Sequence, residues 1–481
     1  MDKIERGQII RNVSWSTLST VMRIVIAGGA LAIISRLVTP AEMGLFGIGW
    51  AGAALGYAIS MNGAAQAIIG LPVMEREHLG AAQFLSMLIA LAAAGVLLIA
   101  APFATSFYHS PNFGRAVMIG ALFVPVMSLG AVDVARAQKA LEFSRLASVQ
   151  TLAMLLAALT ALGLALIGQG LIALFALQGL AGFYVFLVSR WFWPSPGFHR
   201  FGWRHMADIG GIGLHLSLGS LTGAVWLNIP QLLLGRVAPV EVVGLYVFCS
   251  RIGQLVFAQL SGMINNVIYP TFARLRAKPE QVGAAFLETV RFTYFCLNLP
   301  LLVLAAAPSA FLTVYGGSQW AAGDTILFYL AVTQMTIALG ANVFPTFTAL
   351  GKPSVVWRWN LFIGLVQGTA VALAARYGIV AIMQALAVTA WVMPLAVWWL
   401  SKVAQFRMRD YARNMAPIVA ALVPSVAAGR LADTLLDLPA LPRLVVAAGI
   451  AIAINVALNI ALDRKIRQTI ANFVLKRRKK T

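Results

Sequence analysis

The sequence predicts an all-α integral membrane protein of about fourteen transmembrane helices, set out as two six-helix lobes in parallel pseudo-repeat and two C-terminal helices. Three observations predict it. The 481 residues are 60% hydrophobic and only 11% charged, with a mean hydropathy of +0.84. That is more apolar surface than one water-soluble core can enclose. Apolar stretches of about 20 residues, enough to cross a hydrocarbon core about 30 Å thick, recur along the whole chain. One motif is also written twice, as "SRLVTPAEMGLFG" at 35–47 and "GRVAPVEVVGLYV" at 235–247.

The first stretch, 12–37, is too long for a cleaved signal peptide and carries Arg23 in its interior, so it is read as a retained helix. The next five fall at 43–69, 80–107, 113–136, 146–168 and 170–193, the last two meeting almost end to end at "IGQG". A joint with Pro at both ends of its first part, "WPSPGFHRFGWRHMADIG" at 193–210, then interrupts the pattern with aromatic and basic residues suited to a membrane surface. Six more stretches follow at 209–235, 243–270, 292–315, 324–349, 355–376 and 378–401, and a final pair at 414–436 and 441–463. The expected organisation is an N-terminal lobe over 1–193, an interfacial linker over 194–208 and a second lobe over 209–401. Two additional helices (402–463) and a basic tail (464–481) complete it.

A formal net charge of +20 suggests nucleic acid until the charges are placed. With the N-terminus inside, 28 of the 36 Lys and Arg fall on cytoplasmic segments and six on outer joints, leaving Arg23 and Arg251 within spans. This is the positive-inside pattern, and it places both termini in the cytoplasm. The tail "LKRRKKT" (475–481) then reads as an anchor on anionic headgroups, with RNA or a soluble partner as the alternative; no nucleic-acid function is expected. Cys249 and Cys296 lie inside apolar runs and read as packing residues.

The repeated motif follows the first helix of each expected lobe. Aligning Gly44 with Gly244 also sets Gln66 opposite Asn266 and "IIGLP" (68–72) opposite "IYPTF" (268–272). Duplicated halves are a mark of transporters, and an even number of intervening spans makes these copies parallel. Within the motif, Pro40, Glu42, Pro239 and Glu241 suit a helix start at a membrane surface. Arg36 and Arg236 are read as snorkelling to that surface, with an outer gate as the other role.

Polar groups at membrane depth demand a reason, because a mid-helix Arg costs about 2.5–3.5 kcal/mol on insertion scales. Asn12, Ser16, Ser19 and Arg23 fall on one face of the first helix; Arg251, Gln254, Ala258, Ser261 and Asn265 form a matching stripe in the eighth. His215, Asn228 and Gln231 in the seventh, and Asn62 and Gln66 in the second, complete the set. The candidate binding residues are therefore Ser16, Ser19, Arg23, Asn62, Gln66, His215, Asn228, Gln231, Arg251, Gln254, Ser261 and Asn265. Interhelical hydrogen bonding competes with a cavity-lining role for each Asn and Gln. Asp133 is the only carboxylate well inside a span, and its spacing from Arg136 predicts a local ion pair. A net positive, hydrated cleft prefers an anion such as phosphate, which Arg grips with paired hydrogen bonds. No phosphate loop, nucleophile elbow or metal-spaced His cluster is present in the sequence, so neither an enzyme nor a cofactor nor a metal is expected.

The stretches "WSTLSTVMRIVIAGGALAIISRLVTPAEMGLFGIG" (15–49) and "ALGKPSVVWRWNLFIGLVQGTAVALAARYGIVAIMQALAV" (349–388) resemble the polysaccharide transporter branch of the multidrug, oligosaccharidyl-lipid and polysaccharide flippase superfamily. That branch contains the O-antigen and exopolysaccharide repeat-unit flippases. The resemblance implies two six-helix lobes plus two extra helices, and alternating-access transfer of a polyprenyl diphosphate-linked oligosaccharide across the inner membrane. It implies basic cavity residues at positions like Arg23 and Arg251, and as partners the lipid-linked oligosaccharide, membrane lipids, a polysaccharide polymerase and a chain-length regulator, with a monomer as the working state. A cation-coupled drug or metabolite exporter of the same fold and a peptidoglycan precursor flippase are the competing readings. The first helix lacks the deep acidic residue of drug-exporting relatives. A glycan-assembling enzyme would need a large outer loop with catalytic residues, and the sequence has none.

Overall fold

A computed structural model describes residues 3–60, 64–71, 74–193 and 202–462, excepting the side chains of 3–18, 70, 211–216, 218–219, 258–259, 263, 265–267 and 269–270. The described residues form helices and their joints, with no strand among them. Each predicted apolar stretch coincides with one helix or with a helix broken in two. α1 (Lys3–Ser35), then α2 (Pro40–Ser60) with the short α3 (Gln66–Gly70), cover the first two stretches. α4 (Arg76–Phe107), α5 (Pro111–Ser128) with α6 (Ala131–Lys139), α7 (Phe143–Leu166) and α8 (Gly170–Phe192) cover the next four. α9 (Trp203–Val237), α10 (Val240–Arg274), α11 (Pro279–Ala306) with α12 (Pro308–Gly316), and α13 (Asp324–Ala338) with α14 (Val343–Ala349) follow. The series closes with α15 (Ser354–Ala374), α16 (Ile379–Ala390) with α17 (Met393–Val403), α18 (Met408–Leu435) and α19 (Ala440–Leu462). Among the described residues, eleven of these segments are long and apolar enough to cross a membrane; α1, α9 and α15 cover the other three predicted stretches. The chain is a multi-pass, all-α membrane protein. The basic tail from 464 and the linker residues 194–201 lie outside the described residues.

The helix breaks have local causes. Ala307, ahead of Pro308, leaves the helical region (φ −137°, ψ 55°), because proline's ring crowds a helical residue before it. Among the described residues, five helix ends turn the chain through a residue in the left-handed region: His109, Leu141, Gly168, Gly351 and Gln405. In each case the following N–H reaches back five residues, as in Glu142 N to Ala137 O (3.0 Å) and Lys352 N to Phe347 O (2.9 Å). These bonds satisfy carbonyls that a helix end leaves open.

By packing, the chain divides into residues 1–248 with 357–379, and residues 249–356 with 380–481. In the first unit α7 presents buried Ala153, Ala157, Ala161 and Ala165 at steps of four; small residues let α7 and α8 approach closely where lipid provides no hydrophobic push. Asp133 on α6 accepts hydrogen bonds from Ser189 Oγ (2.9 Å) and Arg190 Nη1 (3.1 Å) on α8. The predicted pairing with Arg136 is thus corrected: the contact is made by Arg190, whose guanidinium lies 3.9 Å from the Phe186 ring centroid. Arg190 comes from the packed neighbouring helix, a partner that spacing along α6 cannot reveal. In the second unit Asn342 donates to Thr293 Oγ1 (3.0 Å) and the Tyr411 hydroxyl to Leu339 O (2.8 Å), in a core built around Trp320, Phe286 and Phe347.

The doubled motif acquires a physical meaning in the first unit. A Cβ on Gly44 would stand 2.1 Å from Val240 O, and one on Gly244 would stand 1.8 Å from Pro40 O. Each glycine therefore faces the carbonyl four residues before the other, so α2 and α10 cross backbone to backbone. At α2 the motif also builds a capping box: Thr39 N donates to Glu42 Oε2 (2.9 Å) and Glu42 N to Thr39 Oγ1 (3.2 Å). Pro40 is the first residue of α2, whereas Pro239 precedes the first residue of α10. That one-place shift accounts for the unequal Glu-to-Gly spacing of the two copies.

Candidate functional site

Arg23 stands on α1 twelve residues before its C-terminal Ser35, and its half-buried guanidinium points to α7. Nη1 donates to Gln150 Oε1 (2.6 Å) and Nη2 to Thr20 Oγ1 (3.3 Å). Both partners are neutral. Nε is buried and has no hydrogen-bond partner among the described residues. Ser19, one turn before Arg23, is also buried. Neutral acceptors do not offset a guanidinium's charge, and of its five N–H donors these two bonds use two, with Nε the nitrogen left without a partner among the described residues.

Polar groups of α9 make separate contacts along the helix in the same unit. Gln231 Nε2 donates to Asn228 Oδ1 (2.5 Å), and Asn228 Nδ2 to Ala224 O (2.7 Å). Trp226 Nε1 donates to Gln367 Oε1 of α15 (2.9 Å), and Ser217 Oγ to Ile59 O (3.0 Å). Gln66 opens α3, a helix of one turn, whose end is closed by Lys139: its Nζ reaches Ile68 O (2.8 Å) and Leu71 O (2.5 Å). The ammonium thus satisfies carbonyls that so short a helix leaves open.

The predicted residues therefore group unevenly. Ser19 and Arg23 share one helix, Asn228 and Gln231 are bonded to each other, and Gln66 sits on a separate turn. Arg251, Gln254 and Ser261, on α10, belong to the second unit and are partly buried there. Ser261 Oγ is buried without a hydrogen-bond partner among the described residues. Arg36 and Arg236 are exposed at the ends of α1 and α9, Arg236 lying 5.7 Å from the centroid of the Phe107 ring. Asn62, and the side chains of Ser16, His215 and Asn265, lie outside the described residues. The sequence reading passed over Gln150, Trp226 and Gln367. Gln150 is a polar residue within an apolar run, and that was its only signal; its partner stands 127 positions away.

A family model described as polysaccharide biosynthesis protein matches residues 33–323, more than half of the chain. The chain is similar to the teichuronic acid biosynthesis protein TuaB of Bacillus subtilis (strain 168), 23% identical over 376 residues and covering 77% of each chain. It is equally similar to the succinoglycan biosynthesis transport protein ExoT of Rhizobium meliloti (strain 1021), 23% identical over 377 residues, 77% of this chain and 75% of that one. Among solved structures, the lipid II flippase MurJ in an inward closed conformation superposes with a TM-score of 0.74 over 94% of this chain and 99% of that chain, at 10% identity. Similarity at that identity describes the fold.

Proposed function

The chain belongs to the polysaccharide biosynthesis protein family, and from that premise we propose that it is a flippase for a lipid-linked sugar repeat unit. It transfers a polyprenyl diphosphate-linked oligosaccharide from the cytoplasmic to the periplasmic leaflet of a bacterial inner membrane by alternating access. The product feeds O-antigen, capsule or exopolysaccharide assembly, which makes a polymerase and a chain-length regulator the neighbouring partners. Both termini lie in the cytoplasm, the protein works as a monomer, and the two expected lobes are 1–193 and 209–401. Relatives that bear the names of teichuronic acid and succinoglycan synthesis support this reading.

The observation that carries it is Arg23. Its charge sits within an apolar helix, two neutral acceptors hold it, and its buried Nε is unused among the described residues. A guanidinium at such depth is costly, and a diphosphate, with several anionic oxygens in fork-compatible geometry, compensates that cost directly. Arg251 supplies a second charge of the same type. Ser19, Asn228 and Gln231, with Gln254 and Ser261, supply neutral hydrogen-bonding groups suited to a large, mobile sugar.

The Arg23→Ala variant is expected to insert at normal abundance and to lose polymer export in a complementation assay, with partial recovery in Arg23→Lys, which keeps charge but not the fork. Wild-type export by the Ala variant would refute the assignment. Unchanged drug susceptibility of a deletion strain is expected; a drug-sensitive deletion strain with intact polymer would favour an exporter instead.

A further inference from the structure

The beginnings of α4 and α9 pack together in the first unit, and each carries a histidine three residues beyond the residue that precedes the helix. His78 Nδ1 accepts the Glu75 N–H (3.2 Å), and His205 Nδ1 accepts the Gly202 N–H (3.2 Å). The far nitrogens cross over. His205 Nε2 lies 3.1 Å from Glu75 Oε2, and His78 Nε2 lies 3.5 Å from Asp208 Oδ2. The two rings meet edge to face with centroids 4.8 Å apart.

We propose that Glu75, His78, His205 and Asp208 form a four-ligand structural site for a divalent transition-metal ion of the zinc class, clasping the start of α9 to the start of α4. Two imidazole nitrogens and two carboxylate oxygens are donors that such ions favour. Bonds of about 2.0–2.2 Å in a tetrahedron place ligand atoms about 3.3 Å apart. The two cross-helix separations, 3.1 and 3.5 Å, already bracket that value, and ligand atoms of Glu75, His78 and His205 all lie within 4.8 Å of one another. Asp208 stands outside that group of three and touches it through His78 alone, so closing the remainder falls to the two exposed carboxylates, Glu75 and Asp208.

Charge balance favours the site. Helix N-termini repel a cation, but two carboxylates neutralise a dication and leave the pair of helix ends facing a site of no net charge. Ligation through Nε2 moves each ring's proton to Nδ1 and gives up the two backbone hydrogen bonds. Those N–H groups belong to exposed Glu75 and Gly202, so water replaces the lost acceptors. Spacing along the chain hides this donor set, because His78 and His205 are brought together only by the packing of two helices.

The test uses full-length protein in detergent, its affinity tag removed, stripped with a chelator and titrated with Co²⁺. The expected result is about one Co²⁺ per chain with the intense visible bands of tetrahedral coordination, displaced by Zn²⁺. His205→Asn weakens binding by about tenfold or more, and Glu75→Gln with His205→Asn removes it. Glu75 is exposed and His205 only partly so, and an unchanged gel-filtration profile verifies that the variants are folded. Zn²⁺ raises the melting temperature of the wild-type protein and not of the double variant. Absence of stoichiometric binding by wild type, a weak octahedral spectrum, or binding that survives in the double variant overturns the proposal.

Discussion

Single residues divide into those whose role is written in their own chemistry and those whose role is assigned by a distant neighbour. Arg23 is of the first kind: a guanidinium inside an apolar run is conspicuous wherever it points. Its hold on Gln150 is of the second kind, since α1 and α7 meet only through packing. The left-handed helix ends draw the same contrast. Gly168 and Gly351 mark turns that any reader would expect of glycine, whereas Leu141 adopts the same geometry (φ 57°) without that freedom. A side chain in this region costs about 1–2 kcal/mol, and glycine returns part of that through its more mobile unfolded chain. Leu141 is 68% exposed, so little packing is at stake. Leu141→Gly should therefore stabilise the protein by up to about 1 kcal/mol, read as a higher melting temperature in detergent. A lower one would show that the leucine side chain contributes more than its backbone costs.

Among helices, the decisive information is where backbones touch, and hydropathy is blind to it. The stretch 113–136 reads as one apolar run, yet the chain divides it into α5 and α6 at Leu129 and Gly130. The doubled motif was legible as a repeat, but not as a contact: Gly44 and Gly244 are equivalent by alignment and also partners across a helix crossing. The sign of a glycine-to-alanine change follows from this. Gly244→Ala drives a methyl into Pro40 O and should cost about 1–3 kcal/mol, as overpacking does. Gly95, inside α4, has nothing within 4 Å of an added Cβ, so Gly95→Ala should be neutral or stabilise by about 0.5–1 kcal/mol through helix propensity. Thermal unfolding of both variants side by side tests the crossing. Equal melting temperatures would mean that α2 and α10 do not approach as described.

Across the whole molecule, the apolar count and the charge asymmetry are the two sequence signals, and they answer different questions. Hydropathy located the spans, and the helices coincide with them because backbone groups in lipid must be satisfied within the segment. Orientation rests on the charges alone: 28 Lys and Arg on one set of joints against six on the other. The joints then make a testable alternation. The charge count assigns Gln169, exposed between α7 and α8, to the expected outer set and Gln405, exposed between α17 and α18, to the expected inner set. Each can be replaced by cysteine after Cys249, which is buried, and the half-buried Cys296 are changed to alanine. A membrane-impermeant maleimide applied to intact spheroplasts should label Gln169→Cys and spare Gln405→Cys, and permeabilisation should expose both. The opposite pattern would invert the protein and place the His78–His205 cluster outside the cell. Equal labelling before permeabilisation would mean that 28 against six charges do not choose an orientation, and the vectorial reading of transport would fall with it.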